Sequence, residues 1–146
     1  MKKMIALAAI AAVALAVLAG EHDTPQVSGN YAKLTAGEAV YAGNIAAVGT
    51  NGLAYAVNTA AVGGTLTVCG VFQHSAAKGE TVVAKRGGFI LENASGAGAI
   101  AKKDIGATAY SVATNPWTVT KTSGTKTVGK VADVRDDGSV VVVIGR

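Results

Sequence analysis

The sequence predicts a mainly β fold: a small antiparallel β-barrel or sandwich, preceded by an apolar N-terminal helix and a polar arm. Three observations carry this expectation. Val, Thr and Ile account for 41 of the 146 residues, and β-branched side chains favour strands. Residues 37–146 are a succession of short apolar runs separated by glycine-containing pairs, the rhythm of a small barrel or sandwich. The first twenty residues break that rhythm, because Lys2 and Lys3 precede an uncharged stretch from Met4 to Gly20.

That opening stretch, residues 1–20, has the layout of a secretory signal: a basic start, an apolar run, and small residues at Val17 and Ala19 before a possible cut. As a membrane span it is short, since 17 helical residues reach about 25 Å against a hydrocarbon core of about 30 Å. No cysteine directly follows it, which argues against a lipid anchor. We read it as a retained Ala-rich helix, apolar all round and therefore buried against copies of itself or a partner. A cleaved signal is the alternative.

Residues 21–36 read as an arm or linker, because Glu21 to Lys33 is polar and carries Pro25, Ser28, Gly29 and Asn30. The β domain, residues 37–146, is then expected to hold strands at Ala39 to Ala42, Ile45 to Val48, Leu53 to Val57, Thr65 to Phe72 and Thr81 to Lys85. Further strands are expected at Gly88 to Leu91, Ala107 to Ser111, Trp117 to Thr120, Lys126 to Arg135 and Ser139 to Ile144. Asn51-Gly52 and Asp137-Gly138 suit hairpin turns, since these residues tolerate positive φ. In Thr65-Leu66-Thr67-Val68 apolar and hydroxyl side chains alternate as on a sheet with one wet face. Val128 and Val131 fall out of step across Gly129, which predicts a bulge. Val140-Val141-Val142-Val143-Ile144 shows no alternation and needs cover on both faces, from a second layer or a neighbouring subunit. Asp136, Asp137 and Arg146 flank it as charged gatekeepers.

Composition weighs against most chemistry. Without Lys2 and Lys3 the chain carries 11 basic and 9 acidic residues. The basic pairs Lys85-Arg86 and Lys102-Lys103 have no interleaved aromatic to stack a base, so they read as solvated turns and no nucleic-acid partner is expected. The solitary Cys69 lies in an apolar run and reads as a small core residue. Gly96-Ala97-Gly98-Ala99-Ile100-Ala101 matches a dinucleotide-type glycine pattern, yet no crossover helix follows to offer its N-terminus to a phosphate, so a loop is expected. His74-Ser75 lacks a third member and reads as a polar turn. His22 stands between Glu21 and Asp23, three neighbours that cannot aim together at one metal, and Asp133, Asp136 and Asp137 lack the alternating oxygens of a calcium loop. We therefore expect no catalytic, cofactor or metal site, and no enzyme. Trp117, the single tryptophan, is expected as a core or interface anchor.

An ordered series of short motifs runs through the β domain: Gly37-Glu38-Ala39-Val40, then Val48-Gly49, and Val57-Asn58-Thr59-Ala60-Ala61-Val62-Gly63-Gly64. Val68-Cys69-Gly70-Val71-Phe72, Gly79-Glu80-Thr81-Val82 and Ile105-Gly106-Ala107-Thr108-Ala109-Tyr110 follow. Val128-Gly129-Lys130-Val131 and Gly138-Ser139-Val140-Val141-Val142-Val143-Ile144 close it. In this order and spacing, over about three quarters of its length, the chain resembles the bacteriophage capsid decoration, or head cement, proteins built on a small β-barrel. The N-terminal apolar segment departs from that pattern. The resemblance implies a structural virion protein on the outer surface of the head, contacting the major capsid protein and itself, as a homo-trimer. Candidate capsid or subunit contacts are Met4, Ile10, Leu18, Glu21, Tyr31, Leu34, Trp117, Val141 and Val143. A secreted or periplasmic β-domain binding protein with a cleaved signal is the alternative, and the membrane enters only if the N-terminal segment acts as a signal or anchor.

Overall fold

A computed structural model describes residues 30–60, 64–123 and 125–145. Among the described residues the fold is mainly β, with ten strands in two five-stranded sheets. The first sheet is built from β1 (Tyr31–Thr35), β2 (Ile45–Val48), β3 (Ala54–Ala56), β4 (Thr67–Phe72) and β5 (Thr81–Lys85), in the order β1-β5-β4-β2-β3. The second is a closed barrel of β6 (Gly87–Asn93), β7 (Thr108–Ser111), β8 (Thr118–Thr120), β9 (Thr127–Val134) and β10 (Val140–Ile144), in the order β9-β10-β6-β8-β7, with β7 returning to β9.

Turn chemistry does much of the patterning. Between β9 and β10, Gly138 adopts φ 90° and the Asp137 carboxylate accepts the Ser139 N–H at 2.9 Å, closing the hairpin foreseen at Asp137-Gly138. Between β2 and β3, Asn51 Oδ1 accepts the Leu53 N–H at 3.0 Å while Asn51 Nδ2 donates to the Tyr55 hydroxyl at 2.8 Å, so one amide ties the turn to a buried ring. The expected irregularity at Gly129 is present: the register of β9 against β7 shifts between Thr127 and Gly129, and both Val128 and Val131 reach the core.

Apolar packing joins the two sheets. The barrel interior holds Leu91, Val119, Val128, Val131, Val140, Val142 and Ile144, and Ile45, Val57 and Val71 from the first sheet's side complete the same cluster. Inside the first sheet a second cluster surrounds Phe72 with Ala36, Ala46, Ala54, Ala76, Ala84, Val40 and Val82. Alanine lets the strands approach closely there, and the single large ring fills what remains. Val71 and Phe72 are consecutive, so β4 feeds one face into each cluster.

The first sheet is also drawn round on itself. Directly after β1, Ala36 makes a parallel bridge to Ala54 of β3, and the Gly37 N–H donates to the Ala54 carbonyl at 2.8 Å. Beside that contact, Glu38 Oε2 accepts the Ala56 N–H at 3.0 Å and the Thr59 hydroxyl at 2.6 Å, giving an edge backbone donor a side-chain partner.

Several expectations need correction. Residues 31–35 of the stretch read as an arm form β1, and the compact unit holding the barrel begins at Ala32. Its alternation of half-buried Ala32 and Leu34 with exposed Tyr31, Lys33 and Thr35 is that of a strand with one wet face. Ala39 to Ala42 is not a strand; only Val40 pairs, as a bridge to Ala76. The barrel is not wholly antiparallel, because β6 and β8 run parallel, with Glu92 opposite Thr118 and Asn93 opposite Val119. Val140 to Ile144 does alternate in burial, with Val140, Val142 and Ile144 inside and Val141 and Val143 half-exposed on the outer wall. The N-terminal helix expected over residues 1–20 lies outside the described residues.

Candidate interaction surface

The outer wall of the barrel carries a contiguous row of apolar residues. Val141 of β10 stands opposite Ile90 of β6, and Val143 opposite Gly88. The alternation that sends Val140, Val142 and Leu91 inward turns Val141, Val143 and Ile90 outward, with Ile90 58% exposed. On the far side of β10, Lys130 pairs with Val143 and Asp133 with Val141, both exposed on β9.

Trp117 borders the same wall. It immediately precedes β8, is 46% exposed, and donates its indole N–H to Glu92 Oε1 at 2.7 Å. The same oxygen accepts the Thr118 hydroxyl at 3.1 Å, and the Trp117 carbonyl accepts the Glu92 N–H at 3.2 Å. Asn115 Oδ1 fixes the approach to the strand by accepting the Trp117 N–H at 3.0 Å. The ring is thus an oriented surface group, held at its polar corner and open on its apolar body.

Of the residues singled out from the sequence, Trp117, Val141 and Val143 belong to this wall. Tyr31 is 41% exposed at the start of β1, whereas Leu34 packs half-buried against the cluster around Phe72. Met4, Ile10, Leu18 and Glu21 lie outside the described residues. Sequence reasoning missed Ile90, since Phe89-Ile90-Leu91 is apolar throughout and hides its own period; Phe89 and Leu91 face the barrel core. It also missed exposed Tyr41 (60%) and Ile105 (48%).

The polar constellations serve the fold. His74 Nε2 accepts the Val83 N–H at 3.2 Å, and the Ser75 hydroxyl accepts the Ala42 N–H at 3.1 Å, so the pair ties two neighbouring segments together. Gly96–Gly98 forms a short 3-10 turn seated on β8, where the Gly98 carbonyl accepts from the Thr120 hydroxyl at 2.8 Å. Asn93 closes this loop like a strand partner, donating to the Ile100 carbonyl and accepting the Ile100 N–H, both at 2.8 Å; it also donates to the Gly138 carbonyl at 3.1 Å. Lys102 donates to the Val134 carbonyl at 2.6 Å and lies 3.6 Å from Asp133. Hydrogen bonds from Ser139 hold the exposed Asp137 carboxyl below the usual carboxylate range. Burial pushes the Cys69 thiol up to about 11, against the opposing pull of the Arg86 charge.

Among the described residues no group of three or more His, Cys, Asp and Glu could hold a metal ion, and no helix is long and apolar enough to cross a membrane. No family model, curated protein or solved structure matches the chain.

Proposed function

We propose that this protein is a structural virion component that binds the outside of an assembled phage head and stabilises it, as a capsid decoration or cement protein. The observation that carries this reading is the ordered series of motifs from Gly37 to Ile144, which resembles that family and runs through strands of both sheets. Two sheets sharing one apolar core make a stiff module, and a cement protein needs stiffness and adhesive surface more than titratable groups. Many copies on one shell add avidity, so each contact can be weak. The partner is the major capsid protein, and the protein associates with itself as a homo-trimer. In this reading residues 21–30, ahead of β1, contact capsid subunits, and residues 4–19 contact their symmetry mates. The reading includes no catalytic step and no cofactor.

Co-sedimentation with purified undecorated heads tests it. The full chain pellets with heads and is retained after washing; a chain that stays in the supernatant at saturating heads overturns the reading. Removing residues 1–20 abolishes trimer formation and decoration if the apolar segment has the assigned role. A second reading, a secreted or periplasmic β-domain, is favoured by the basic start and apolar run at residues 1–19. A mass from the natural source that corresponds to a chain starting at Gly20 selects it.

A further inference from the structure

We infer that the outer wall of the barrel docks onto the same wall of a second copy of this chain, through a two-fold contact centred on Val141. This goes beyond capsid decoration and stands or falls independently of it. The strand register defines the contact. Three rows cross the wall: Lys130, Val143 and Gly88; then Asp133, Val141 and Ile90; then Glu92 with Thr118 beside it. Successive rows are roughly 7 Å apart and neighbouring strands about 4.8 Å. Lys130 and Glu92 therefore occupy opposite corners, and Val141 lies midway between them.

A two-fold axis lying in the wall through Val141, perpendicular to the Lys130–Glu92 diagonal, makes the surface complementary to itself. Val141 meets Val141, Ile90 of each copy falls beside Val143 of the other, and Lys130 of each copy meets Glu92 of the other twice over. The details suit that arrangement. Lys130 donates to the Thr108 hydroxyl at 3.0 Å, which uses one of its three N–H donors and leaves others for a carboxylate. Trp117, fixed to Glu92 by its indole N–H, presents its ring where the incoming ammonium stem arrives, a cation–π position. Gly88 leaves open space at the end of the wall, where a Cβ would touch nothing within 4 Å, so the second wall can approach closely.

Site-directed cross-linking in the full chain tests this, in a Cys69→Ala background. Under mild oxidant, Val141→Cys forms a disulfide-linked dimer to completion, because the axis brings the two thiols within bonding reach. Ile105→Cys, more exposed than Val141 but off the wall, remains largely monomeric. Adding Lys130→Glu raises the concentration needed for half-maximal linkage roughly tenfold, and adding Glu92→Lys to that variant restores it. Circular dichroism and melting temperature confirm that each variant is folded, and Val141→Ser, with unmodified charges, supplies the non-linking control. Absence of linkage at Val141→Cys, equal linkage at Ile105→Cys, or a ceiling at about two thirds of thiols, as a three-fold meeting point would give, each overturns the inference. Loss of head binding with linkage intact would sink the decoration reading and leave this one standing.

Discussion

Trp117 and Glu92 are joined side chain to side chain at 2.7 Å on the barrel's outer wall, across the parallel pair β6 and β8. The carboxylate holds an exposed ring and a buried hydroxyl at once, since Thr118 is only 7% exposed. Glu92→Ala leaves the Thr118 hydroxyl without this acceptor and releases the ring. We expect a loss of about 1–2 kcal/mol in urea denaturation and a red-shifted, more quenchable tryptophan emission. Glu92→Gln, which keeps an acceptor, loses less.

Gly129 of β9 and Gly88 of β6 differ in what a methyl group would meet. A Cβ at Gly129 would run into the Val143 carbonyl oxygen, whereas one at Gly88 meets nothing within 4 Å. Gly129→Ala is expected to cost about 3 kcal/mol, because a main-chain oxygen cannot step aside as a side chain can. Gly88→Ala is within about 0.5 kcal/mol of the parent. Equal melting temperatures for the two variants would contradict the close packing at the bulge.

Alkaline pH reads out the burial of Cys69. Below pH 9 the thiol is protonated in both folded and unfolded chains; above it the unfolded thiol ionises, while the folded one holds its proton to about 11. A folded pKa raised in this way supports stability below the unfolded value and loses it as pH rises. Between pH 9 and 11 the parent should lose about 2 kcal/mol more than Cys69→Ala, measured by parallel denaturant titrations. The thiol should react slowly with an aromatic disulfide at pH 8.

Val142 and Val141 separate the two faces of β10. Val142 is fully buried and Val141 half-exposed. Val142→Ala is expected to cost about 2–3 kcal/mol, and Val141→Ala under about 1 kcal/mol in the monomer. Thermal melts at low protein concentration distinguish the two.

How much of this was legible in the sequence depends on the kind of signal. Ile45–Val48 and Thr81–Lys85 form strands over the residues expected, because short β-branched or apolar runs between glycine turns leave few alternatives. Tyr31–Thr35 was hidden by its polar context, although Ala32 and Leu34 carried a period of two. The parallel pairing of β6 with β8 leaves no local trace, since it depends on the path of the chain between Asn93 and Thr118. The five-valine-like run at the C-terminal end was the hardest to read: uniform apolarity cannot say which residues face inward, and closure of the barrel decides it. The outer wall followed the same rule. Val141, Val143 and Trp117 were visible as candidates, but Ile90 entered only through its register with Val141.

The Glu38 carboxylate at Ala56 completes a seal that a further strand would otherwise provide. In a chain this rich in alanine and valine, an open ladder is a template for edge-to-edge pairing. One acidic side chain at this seam thus occupies a main-chain donor that would otherwise stand open to another chain.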